Sequence, residues 1–133
     1  MEEQGVVSLW VGVAASAEAL EDYVACDSYE AGELVDPAFA KDFHLEPWDE
    51  DFREARYIPN ATRDLTALLG PLSYADIILP RFDQVHRGPL PEPANAVVLL
   101  YNYRHSGSIV QGGSGGVRLS YVGLVSYIGR APR

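Results

Sequence analysis

Carboxylates crowd the first half of this chain, and their densest run is Trp48-Asp49-Glu50-Asp51, followed by Glu54. An Asp-x-Asp spacing presents hard oxygen ligands of the kind that magnesium, calcium or manganese take. Asp49, Asp51 and Glu54 therefore define one possible chemistry, a small metal-dependent enzyme with a histidine as acid or base. The run lacks the regular oxygen spacing and the central glycine of a calcium-binding EF-hand loop, and a solvated acidic loop is the simpler reading. Gly112-Gly113-Ser114-Gly115-Gly116 has the composition of a phosphate cradle. Such cradles lie between a strand and a helix N-terminus, whereas these glycines lead into a strand-like segment with no lysine nearby, as in a hairpin tip.

His44, His86 and His105 are widely spaced, and no His-x-x-x-His pair offers helical zinc spacing. Cys26 could act as a nucleophile beside one of them, but it ends a predicted helix amid acids, which raises a thiol pKa and blunts it. Gly113-Ser114-Gly115 does not have the Gly-x-Ser-x-Gly spacing of a serine nucleophile elbow. No catalytic residue, metal ligand or cofactor is assigned from these patterns.

A different chemistry suits the acids better. Asp27, Tyr29, Glu30, Glu33, Glu46, Trp48, Asp49, Glu50, Asp51 and Glu54 all fall in or beside predicted loops around a short helix. Aromatic anchors rimmed by charge are what a protein-binding patch requires, because the rings supply the buried contacts and the carboxylates steer a basic partner. The alternative is that Tyr29 and Trp48 are core residues at loop ends. Charge asymmetry favours the patch: residues 1–54 hold 15 acids and two bases, residues 55–133 four acids and eight arginines, and the net charge is −9. Such a surface repels phosphate backbones, which argues against nucleic acid or anionic membrane as partner.

The elements that must position these residues follow from hydrophobic pattern. The chain has 133 residues, 47% of them hydrophobic, which suits one globular domain over 1–133. Gly5–Val13 is apolar throughout, as a central strand buried on both faces would be. Ser16 caps a helix over 16–26 with Leu20, Tyr23 and Val24 inward. Asp27–Glu33 reads as a loop. Asp36-Pro37 reads as the N-cap and first residue of a short helix with Phe39 and Phe43 inside. Phe52–Ile58 reads as a strand ending at Pro59. Asn60 or Thr62 would cap a helix holding Leu65, Leu68 and Leu69, stopped at Gly70-Pro71. Tyr74–Leu79 is helical, and Pro80 is expected to kink or end it.

Arg87–Pro93 is an extended connection, and Asn95–Tyr103 and Val117–Ile128 are strands joined by the glycines into a long hairpin. The predicted fold class is α+β, with a single mostly antiparallel sheet of about four strands and helices packed on it. Met1-Glu2-Glu3-Gln4 has no basic leader character, and the longest stretch both uncharged and apolar in character, about 6–17, is too short to span a bilayer. The expected location is the cytoplasm.

Several segments together resemble the immunity protein 22 family. They are the opening Val7-Ser8-Leu9-Trp10-Val11-Gly12 with the acidic helix ending in Glu21-Asp22-Tyr23, then Phe39-Ala40-Lys41-Asp42-Phe43. Asp49-Glu50-Asp51-Phe52-Arg53-Glu54-Ala55, the strand Asn95–Tyr103 and Tyr121-Val122-Gly123 complete the likeness. The resemblance implies a small bacterial α+β protein, encoded beside a polymorphic toxin, that neutralises the toxin by binding and carries no catalytic residues. Its partner would then be a cognate, basic toxin protein, for which a nuclease is one fit. A generic protein-interaction module is the alternative that stands beside the metal enzyme.

Overall fold

In the computed structural model, which describes residues 1–26, 29–105 and 109–128, strand β1 (Glu2–Ala14) runs through the middle of a five-stranded antiparallel sheet. Its side chains alternate between two apolar cores. Val7, Leu9 and Val11 enter one, Trp10 and Ala14 the other, and all five are buried. A strand with no polar face needs cover on both sides. Helices α1 (Ala17–Val24) and α2 (Ala38–Phe43) supply it on the Trp10 side, and α3 (Leu65–Leu69) and α4 (Ala75–His86) on the other.

The strand order is β4 (Arg53–Thr62), β5 (Ala94–Tyr103), β1, β7 (Val117–Ser126), β6 (Gln111–Ser114). The α+β class and the central first strand are as the sequence predicts, with five strands in the main sheet instead of four. The long hairpin is a correction. β5 and β7 do not pair with each other; each pairs with a different side of β1. An apolar strand exposes two hydrogen-bonding edges as well as two faces, and the two longest C-terminal strands satisfy both. The glycines instead build edge strand β6, hairpinned onto β7 through Gly115 and Gly116 at φ +60° and +83°.

Smaller corrections are local. The Asp27–Glu33 loop contains a two-stranded ribbon, β2 (Tyr29–Glu30) with β3 (Glu33–Leu34), turned by Ala31 and Gly32, both at positive φ. Asp27 itself lies outside the described residues. Pro37, not Asp36, is the N-cap of α2. Strand β4 passes Pro59 and reaches Thr62, which an edge strand tolerates because one row of its N–H groups has no partner. Asp64 then caps α3, accepting the Thr66 N–H at 2.9 Å, in place of Asn60 or Thr62. Helix α4 begins after Tyr74 and runs on through Pro80 to His86. The proline is exposed, and lacking an N–H it leaves the Asp76 carbonyl without its helical donor.

One irregularity shapes the end of the sheet that carries the acidic turn. Along β5, Ala96, Val98 and Leu100 face the Trp10 core, and Val97, Leu99 and Tyr101 the opposite one. Strict alternation would send Tyr103 with Tyr101. Asn102 adopts φ +58° opposite a break in the β1 register, where Gly5 has φ +84°, and the bulge turns Tyr103 to the Trp10 side. Asn102 Oδ1 accepts the Gly5 N–H at 2.9 Å and the Tyr127 hydroxyl at 2.7 Å, which fixes the bulge.

Gly12 shows how closely β1 and β7 approach, because a Cβ there would overlap the Arg118 carbonyl oxygen. Gly12→Ala is expected to destabilise the fold by about 2–3 kcal/mol through strand displacement, measured by urea unfolding. An unchanged midpoint would contradict the packing described for this strand pair.

Candidate functional site

The acidic segment lies at the end of the sheet where β4 begins. Asp49 Oδ1 accepts the Asp51 N–H at 2.9 Å and starts a single 3-10 turn, Glu50–Phe52, that leads directly into β4. Within this turn the acids do different jobs. Glu50 is tied to its neighbours while staying partly exposed: its carboxylate accepts from the Trp48 indole N–H at 2.7 Å and from Arg53 at 3.0 and 2.9 Å. Arg53 also reaches Glu21 on α1 at 3.4 Å. Burial alone would push the Glu50 carboxyl up, but the bonds from Arg53 and Trp48 outweigh it and hold the group below the usual carboxylate range. Trp48 is half-buried, its ring centroid 5.5 Å from Phe39 and 6.4 Å from Tyr103. It is thus an anchor of the Trp10 core as well as part of the patch.

Glu54 faces the opposite core. It accepts the Tyr101 hydroxyl at 2.7 Å, the Ser73 hydroxyl at 3.1 Å and the Ser73 N–H at 3.2 Å. Tyr101 also belongs to a three-ring cluster, with Tyr74 at 5.7 Å and Tyr127 at 5.1 Å, while Tyr74 and Tyr127 are 4.9 Å apart. Burial, then the Glu54 carboxylate, pushes the Tyr101 hydroxyl well above its ordinary range, so it remains a donor. Phe52 is 42% exposed and lies between two clefts of about 220 and 250 Å³, both also lined by Tyr101.

Of the other residues in the sequence-based patch, Asp49, Asp51 and Glu46 are exposed, and Glu46 pairs with the N-terminal ammonium at 3.3 Å. Tyr29, Glu30 and Glu33 are exposed on the β2–β3 ribbon, with Tyr29 at 67% and Leu34 beside it at 57%. Sequence reasoning missed Phe52, Tyr74, Tyr101 and Tyr127. Phe52 was within reach, since it follows Asp51 on the same turn. The tyrosines come from three distant segments that only the fold joins.

The catalytic patterns separate. Among the described residues no group of three or more His, Cys, Asp or Glu side chains converges to hold a metal. His44 is an exposed left-handed C-cap, His86 Nε2 lies 3.1 Å from the Pro89 carbonyl, and His105 Nε2 lies 2.8 Å from the Ile109 carbonyl among core rings. Cys26 Sγ sits 3.4 Å from Glu50 Oε1, and burial followed by the Glu50 charge pushes the thiol up to about 12. The glycines of β6 permit close packing: a Cβ on Gly112 would press on the Phe43 ring at 3.3 Å. Ser114 and Tyr23 both donate to Asp42 Oδ2, at 2.7 and 2.9 Å, tying β6 and α1 to α2. Among the described residues no helix is long and apolar enough to cross a membrane.

Family comparison decides what kind of protein carries this surface. The family model for Immunity protein 22 matches residues 7–127, from the central strand to the last described tyrosine. The chain belongs to the immunity protein 22 family. No curated protein and no solved structure matches it. The matched span includes the acidic turn, the ribbon and the tyrosine cluster of this immunity protein.

Two predictions test the Glu50 carboxylate. A carboxyl held low in the folded state stabilises the fold above its unfolded pKa and loses that contribution as pH falls through the folded value. Glu50→Gln should therefore be less stable than wild type near neutrality, with the gap narrowing below about pH 4.5, as read from urea midpoints across pH. Cys26 should react with iodoacetamide at pH 7.5 at least about 100-fold more slowly than free cysteine, and faster in Glu50→Gln. Alkylation at the free-cysteine rate would contradict the half-buried, carboxylate-flanked thiol.

Proposed function

We propose that this immunity protein neutralises a cognate polymorphic toxin by binding it, without catalysing a reaction. The binding surface is the acidic turn together with the β2–β3 ribbon. The observation that carries the reading is that each of these two segments sets exposed carboxylates beside large exposed apolar side chains: Glu30 and Glu33 with Tyr29 and Leu34 on the ribbon, Asp49 and Asp51 with Phe52 on the turn. Exposed apolar groups ringed by charge are typical of surfaces that close on a partner. Family membership over residues 7–127 supports a toxin as that partner. The surplus of acid in residues 1–54 supports a basic one, such as a nuclease. The same charge disfavours nucleic acid and anionic membrane.

The unit acts as one α+β domain over 1–133 in the cytoplasm, where a toxin would meet its targets. A specific interface of standard size buries on the order of 1,600 Å², and protection requires slow release, with affinity of about −12 kcal/mol or better. Asp27, Tyr29, Glu30, Glu33, Glu46, Trp48, Asp49, Glu50, Asp51 and Glu54 remain the proposed contact set. Within it Glu50, and Trp48 in part, serve by shaping the turn.

The test uses the toxin domain encoded beside this chain. Asp51→Lys combined with Glu33→Lys reverses two exposed charges that have no side-chain partners among the described residues. The double variant should fold normally, bind the toxin more slowly at low salt and show a flatter salt dependence of association. Association as fast as wild type at low salt would remove this surface from the interface. Failure of the wild-type chain to protect cells expressing the toxin would remove the function itself.

A further inference from the structure

The clefts on either side of Phe52 carry a more specific message than net charge does. The Glu54 carboxylate is half-buried, and its hydrogen bonds come from Tyr101 and Ser73, all neutral donors. Among the described residues it takes part in no ion pair. Arg53 is the cationic residue lining this cleft, and its guanidinium is turned away to Glu50 and Glu21, with the side chain only 13% exposed. A carboxylate held partly out of water gains from a positive charge placed against it. Here the matching charge is absent from the described residues while its geometry is prepared.

Aromatic faces complete that geometry. Tyr74, Tyr101 and Tyr127 line the cleft with Phe52, and Tyr74 remains 49% exposed. A volume of about 250 Å³ is smaller than most cofactor and drug sites but suits one long side chain. Arginine fits these walls better than lysine. Its planar guanidinium stacks on tyrosine rings while an N–H at its edge donates to the carboxylate beneath them. Asp51, exposed at the rim, adds attraction for an approaching cation.

We propose that this cleft receives an arginine side chain of the toxin, stacked against the Tyr74–Tyr101–Tyr127 rings and paired with Glu54. The inference rests on the immunity reading above and names the chemistry at the centre of its interface.

Two measurements on the full chain test it. The first is an NMR titration with N-acetyl-arginine amide, using N-acetyl-citrulline amide as the uncharged isostere. Arginine should shift the ring resonances of Tyr74, Tyr127 and Phe52 in a saturable manner in the millimolar range, and citrulline should not. Equal shifts from both probes, or none from either, would overturn the cleft as a cation site. The second is toxin affinity. Tyr74→Ala should raise Kd about 10–100-fold, while Tyr74→Phe, which keeps the ring, should stay within about threefold of wild type. Wild-type affinity in a folded Tyr74→Ala chain would sink this inference and leave the immunity reading standing. A wild-type chain that binds the arginine probe but not the toxin would overturn the toxin as the source of the arginine.

Discussion

Strand β1 sets the terms for everything else in this molecule. Its five inward positions from Val7 to Ala14 are apolar on both faces, so it is stable only with a helical layer on each side and a long strand on each edge. The chain meets the demand by returning twice. After α1 and α2 cover the first face, it crosses to β4 and lays α3 and α4 on the second before β5 and β7 take the two edges. The cost is that the sheet ends in two edge strands. Glycines let β6 tuck closely against β7 and α2, while β4 is flanked by helices from both layers. Arg56 donates to the Ala67 and Leu68 carbonyls, both at 2.8 Å, which closes the C-terminal end of α3 against β4.

The bulge at Asn102 gives one end of this framework two different aromatic faces. Without it Tyr101 and Tyr103 would point the same way, and one end of the sheet would present a single aromatic face. With it, Tyr101 joins the tyrosine cluster on one side while Tyr103 reaches across to Trp48 and the Glu46 carbonyl on the other. The acidic turn lies between them, with Phe52 outermost. Positive φ at Asn102 and Tyr74 is uncommon for residues with a side chain. Both positions border these clefts, which matches the tendency of strained backbone to gather where a surface has work to perform.

The sequence made the class of fold readable because its signals were local. A run of β-branched residues at Val6–Val13, a serine cap at Ser16 and the Phe39/Phe43 spacing each act within a few residues. Strand partners were not readable, because nothing near Asn95–Tyr103 or Val117–Ile128 states that β1 will lie between them; that is a competition among distant segments. Pro80 left two outcomes open, a kink or an end, and the helix does not end there. That it runs on to His86 depends on Ile78 and Phe82 packing into the second core, which is a tertiary fact. The acids of the turn were legible as charge, yet charge alone did not separate Glu50, held by Arg53, from Asp49 and Asp51, which face outward.

That separation explains how so acidic a segment folds at all. Carboxylates at 49, 50, 51 and 54 would repel one another if all faced solvent together. Two of them are held by different means. Glu50 meets a guanidinium and an indole, giving a partly exposed pair whose worth is modest, about 1 kcal/mol at most. Glu54 is held by hydroxyl and amide donors that position it without neutralising it. The first arrangement ties the turn to α1 through Glu21 and fixes its shape; the second sets the Glu54 carboxylate, without a cationic partner among the described residues, at the foot of an aromatic cleft. A surface meant only for solubility would not require that difference, because solvated carboxylates need no hydrogen-bond scaffold. A surface that recognises one cationic side chain would require it, since such recognition is sharpest at a carboxylate already oriented and not yet paired with a cation.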